Sequence, residues 1–128
     1  MAAMREKPHD ICERTFEFAL QIIPICESLC AVPGARRTLG NQLLRCATSI
    51  GANVEDAQAG QSRPDFISKL SIALKEARES AYWLRLIIAS DFDTSRQIEG
   101  ALQEAEELKR ILSAILNSAK KQALQPQF

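Results

Sequence analysis

Little in this chain could carry chemistry. It has one histidine, His9, and a single histidine cannot build a catalytic or metal cluster. No glycine-rich phosphate loop, nucleophile elbow, nucleotide fingerprint or glutamate-xx-histidine di-iron signature occurs. The apolar runs are short and broken by polar residues, so no segment can span a bilayer. The first ten residues, MAAMREKPHD, lack the apolar core of a secretory signal. Net charge is zero, from sixteen basic and sixteen acidic residues, so the basic excess of a dedicated nucleic-acid binder is missing. Only five glycines and five prolines punctuate the 128 residues, and most lie at the ends or between periodic segments. Valine and threonine are scarce, which disfavours strands.

What is present is helix former: alanine, leucine, glutamate, lysine and glutamine. Apolar residues recur at spacings of three and four in four segments. The first runs from about Asp10, its N-cap, to Leu29, with Ile11, Thr15, Phe18, Ala19, Ile22, Cys26 and Leu29 on one face. Pro24 lies inside it, but the stripe continues across, so a kink is expected there and not a break. The second segment covers about residues 35–59, between the Val32-Pro33-Gly34 turn and Gly60. Its stripe is Leu39, Leu43, Cys46, Ala47, Ile50, Val54 and Ala57. The third follows Ser62 as N-cap and reaches about Ala89, on Phe66, Leu70, Ala73, Leu74, Ala77, Ala81, Leu84 and Ile88. The fourth, capped by Asp93 or Thr94, extends to about Gln122 on Ile98, Ala101, Leu102, Ala105, Leu108, Leu112, Ile115, Leu116 and Ala119.

Four amphipathic helices with short links predict an all-α fold, an antiparallel up-down-up-down four-helix bundle. The bundle domain is placed at residues 10–122, between a flexible N-terminal leader (1–9) and a flexible C-terminal tail (123–128). The cytoplasm is the expected compartment, where the four cysteines stay reduced. Cys12, Cys26, Cys30 and Cys46 read as core thiols, since no further Cys/His pair completes a zinc site. The paired carboxylates, such as Glu76 with Glu79 and Glu104 with Glu107, have the spacing of ordinary solvated helix faces. The expectation is therefore no enzyme, no catalytic residue, no cofactor and no metal.

Three sets of residues remain. Ile72, Trp83, Leu86 and Ile87 lie away from the main stripe of the third helix, and Ile111 widens that of the fourth. They are candidate anchors of a homo-oligomer interface. Arg36, Arg37, Arg45, Lys75, Arg78 and Arg85 are candidate contacts to RNA or a nucleoprotein partner, where phosphate neutralisation needs little else. Gln42, Ser49 and Asn53 form a polar seam along the second helix, expected to bond across to another helix and fix register. Gly40 and Gly51, eleven residues apart, nearly superimpose on another side and would let a neighbouring helix come close.

The run LLRCATSIGANVEDAQAGQSRPDFISKLSIALKEARESAYWLRLI resembles the four-helix bundle family that includes the 23S rRNA intervening-sequence proteins. Arg45, Ala47, Ser49, Ile50, Ala52, Asn53 and Glu55 carry the first part of the pattern. Phe66, Lys69, Lys75, Glu76, Glu79, Tyr82, Trp83 and Leu84 carry the second. Cys46 stands where serine is frequent, and Ser80 where threonine is. The resemblance implies an antiparallel bundle that assembles as a ring-shaped homopentamer, with no shared enzyme activity. A related bundle, the accessory protein of diversity-generating retroelements, forms a basic pentameric barrel that engages a reverse transcriptase and nucleic acid. This chain departs from that pattern in being charge-neutral.

Overall fold

The computed structural model describes residues 10–60 and 62–124. The expected leader, with His9, and tail positions 125–128 lie outside the described residues. Four helices follow in order: α1 (Ile11–Cys30), α2 (Ala35–Gln58), α3 (Arg63–Ala89) and α4 (Arg96–Leu124). No strand occurs among the described residues. Each helix packs on its neighbours in sequence, and α1 also meets α4, more sparsely. The backbones of α1 and α3, and of α2 and α4, do not approach closely. They are the diagonals of an antiparallel up-down-up-down bundle.

The ends are set by local chemistry. Asp10 caps α1, its carboxylate accepting from the Cys12 N–H at 2.9 Å. Ser62 does the same for α3, accepting from the Asp65 N–H at 3.3 Å. At α4 the cap is Ser95, whose Oγ accepts from the Ile98 N–H at 3.3 Å. The cap falls one residue beyond the expected Asp93 or Thr94, and Asp93 accepts from the Ser95 N–H at 2.8 Å in the turn before it. Gly34 enters α2 at φ 100°, a conformation open to glycine and strained for other residues. Asp91 is, among the described residues, the non-glycine residue in the left-handed region, at φ 59°. It closes α3 in a Schellman turn, with the Phe92 N–H on the Ile87 carbonyl and the Asp91 N–H on the Ile88 carbonyl.

Helix α1 runs through Pro24 without a break. Pro24 is exposed, and so is Leu20, whose carbonyl loses its intrahelical partner, so water can replace the missing bond. The core consists of Phe18, Ile22, Leu43, Ile50, Leu70, Leu84, Ile98, Leu108 and Leu112 with interleaved alanines. Gly40 and Gly51 do face a neighbouring helix. A Cβ on Gly40 would lie 3.0 Å from Leu29 Cβ and 2.9 Å from Cys30 Sγ. A Cβ on Gly51 would lie 3.3 Å from Thr15 Oγ1. The two glycines thus set how near α1 comes to α2.

Candidate interaction surfaces

Helix α3 packs on both α2 and α4, so its buried arc is wider than one stripe. Glu76, Ser80 and Ile87 fall on the added part of that arc. This corrects the reading of Ile87 as an interface anchor: it is 0% exposed, inside its own core. Trp83 lies on the same side, half-buried and packed against the core. Its ring meets Tyr82 edge-on at 5.2 Å between centroids. Leu86 and Ile111 are half-buried, and Ile72 is exposed.

The polar seam of α2 bonds along its own helix. The Asn53 amide donates to the Ser49 carbonyl at 2.9 Å and to Ser49 Oγ at 3.0 Å. Gln42 Oε1 accepts from Arg45 Nη2 at 3.2 Å. Among the described residues the expected cross-helix bonds from Gln42, Ser49 and Asn53 are not formed, since their partners lie one turn away on α2. The polar tie between α2 and α3 is made by other residues. Arg45 reaches Glu79 at 3.5 Å and Glu76 at 3.9 Å. Ser80 Oγ lies 3.2 Å from Cys46 Sγ and 2.8 Å from the Glu76 carbonyl. Two buried polar atoms beside this tie, Glu76 Oε1 and Trp83 Nε1, have no hydrogen-bond partner among the described residues.

Three of the six candidate phosphate contacts are engaged within the chain. The Arg36 guanidinium stacks over the Phe92 ring at 4.5 Å, and Arg37 Nε donates to the Cys30 carbonyl at 2.8 Å. Arg45 is the third. Lys75, Arg78 and Arg85 stand exposed on the outer side of α3, with no ion pair to another described residue.

The four cysteines are free thiols. Burial pushes Cys26 up to about 12 and also raises Cys46 and Cys12. These thiols stay protonated at neutral pH and are poor nucleophiles and poor metal ligands. No three His, Cys, Asp or Glu side chains converge on a possible metal position among the described residues.

Opposite the α2–α3 side, α1 and α4 are separated by a groove lined by Arg14, Glu17, Gln21, Gly100 and Glu104. Arg14 bridges it with a bidentate contact to Glu104, at 2.7 Å and 3.0 Å, and a longer one to Glu107 at 3.7 Å. The hydrogen bond to Glu104, more than any other influence, pushes the Arg14 guanidinium above its usual range. Sequence periodicity missed this clasp, because its partners are 90 residues apart.

Five large apolar side chains remain exposed on the outer faces of two helices. Phe16 is 57% exposed, Leu20 53% and Ile23 40% on α1, and Ile72 is 38% and Tyr82 53% on α3. The α1 trio repeats at spacings of four and three, one continuous ridge.

Comparison with known proteins agrees with this architecture. The family described as 23S rRNA-intervening sequence protein matches residues 7–114. Among solved structures, a protein of unknown function from the S23 ribosomal protein family of Bacteroides thetaiotaomicron VPI-5482 is 38% identical, with a TM-score of 0.76. The match covers 84% of this chain and 98% of that one. No curated protein matches.

Proposed function

The chain belongs to the 23S rRNA-intervening sequence protein family, and from that premise we propose that it is a non-enzymatic homo-oligomer, a cytoplasmic scaffold or adaptor. The observation that carries this reading is the exposed apolar ridge of Phe16, Leu20 and Ile23 on α1, with Ile72 and Tyr82 exposed singly on α3. A bundle that has already closed its core gains nothing from Phe16, Leu20, Ile23, Ile72 and Tyr82 in water. Contiguous apolar surface of this kind marks contact sites. Net neutrality removes charge repulsion between copies. Five copies is the number the family resemblance implies. The absence of enzymatic activity is supported by buried, protonated thiols and by carboxylates spread over solvated faces.

Nucleic acid is the weaker reading, since Arg36, Arg37 and Arg45 already have partners within the chain. Light scattering coupled to size exclusion, at micromolar concentration, tests the assembly. The expected mass is a multiple of the 14.2 kDa chain, five for a pentamer. A single 14.2 kDa species would overturn the proposal.

A further inference from the structure

We propose that a cleft between α3 and α4 binds a small phosphate monoester. The cleft has a volume of about 360 Å³. Its floor is apolar, formed by the buried Leu74 of α3 and Leu116 of α4. Two cations line it, Arg78 and Lys120, and with them two neutral donors, the Ser113 hydroxyl and the Asn117 amide. None of these four groups has a hydrogen bond or ion pair to another described residue. Farther along α4 the bases are engaged, Lys109 with Glu106 and Arg110 with Glu107. Ser71 also lines the cleft, but its hydroxyl proton is given to the Ile67 carbonyl at 2.8 Å. Among the described residues no carboxylate lines it. In a chain with as many acids as bases, this is a local separation of charge.

The two cations come from opposite ends. Helices α3 and α4 run antiparallel, with Arg63 at the start of one bonding to Gln122 near the end of the other at 2.7 Å. Helical side chains lean toward the N-terminus of their own helix. Arg78 therefore leans along α3 toward Leu74, and Lys120 leans along α4 toward Leu116 and Ser113. A phosphate monoester carries about 1.5 to 2 negative charges at neutral pH and three strong acceptor oxygens. Two cations balance that charge, and Ser113 and Asn117 supply further donors to its oxygens. A carboxylate or a phosphodiester, with one charge, would leave a cation unbalanced. No aromatic side chain lines the cleft to stack a base, which disfavours single-stranded nucleic acid. The volume is that of a small-molecule site, with room beside the phosphate for the group that carries it, over the leucine floor. This inference goes beyond the homo-oligomer reading and holds whether or not copies associate.

A titration of the full chain followed by amide-resolved NMR tests it. The probes are inorganic phosphate, uridine 5′-monophosphate and an oligouridine with hydroxyl ends. Inorganic phosphate and the monophosphate should give saturable shifts at Ser113 and at the Asn117 side-chain amide. Arg78→Gln and Lys120→Gln, both at exposed positions, should each weaken binding about tenfold. Lys121→Gln removes an equally exposed charge outside the cleft and should leave binding unchanged. Shifts that never saturate, or an equal loss in the Lys121 variant, would overturn the site. Tighter binding of the oligouridine than of the monophosphate, lost in Arg78→Gln, would assign the cleft to a nucleic-acid backbone and overturn the small ligand.

Discussion

The two sides of α1 are built by different means. Toward α2 the chain uses absence: Gly40 and Gly51 remove side chains where Leu29, Cys30 and Thr15 press in. Toward α4 it uses charge: Arg14 spans a groove to Glu104 and Glu107, and a Cβ on Gly100 would come no nearer to another helix than 3.7 Å, at Gln21 Nε2. The first seam is fixed by steric contact, which salt does not weaken. The second is the sparser contact, held by a clasp that salt can loosen. One helix can thus be rigidly placed on one neighbour and loosely on the other.

The largest expected effect comes from filling the tight side. Gly40→Leu should lose about 3 kcal/mol, because Leu29 Cβ is fixed to its backbone and α1 must move outward. Urea unfolding measures it. A loss below about 1 kcal/mol, within reach of ordinary repacking, would show that α1 and α2 are not held this closely.

How far the sequence spoke for these two sides differs in the same way. Periodicity placed all four helices, and the superposition of Gly40 and Gly51 announced a close approach. Asp10 and Ser62 were readable as caps because capping is local. Ile87 was misread because a helical wheel shows which residues share a face, but not that α3 has two neighbours. The seam residues Ser49 and Asn53 were seen as aligned, yet a spacing of four serves a bond along the helix as well as one across it. The Arg14 clasp had no local signal at all, since its partner lies on the last helix.

A middling effect is expected at the clasp. Arg14→Met keeps the aliphatic stem and removes the fork that holds Glu104, both side chains being partly shielded from water. The loss should be about 1–2 kcal/mol at low salt. It should shrink as salt rises, because part of the wild-type contribution is then screened. An equal loss at all salt concentrations would mean that the groove is held by packing, as the α2 side is.

The smallest effect has the opposite sign. Gly100 lies inside α4, where glycine is costly relative to alanine, and a Cβ there would make only an ordinary contact with Gln21. Gly100→Ala should therefore stabilise the bundle by about 0.5–1 kcal/mol. The same change at Gly40 gains the same helix propensity but drives a Cβ to 3.0 Å from Leu29 Cβ, so it should gain less or turn destabilising. Measured side by side, the two alanines separate backbone propensity from helix spacing. If both stabilised equally, α1 would stand no closer to α2 than to α4, and the contrast between its two sides would vanish.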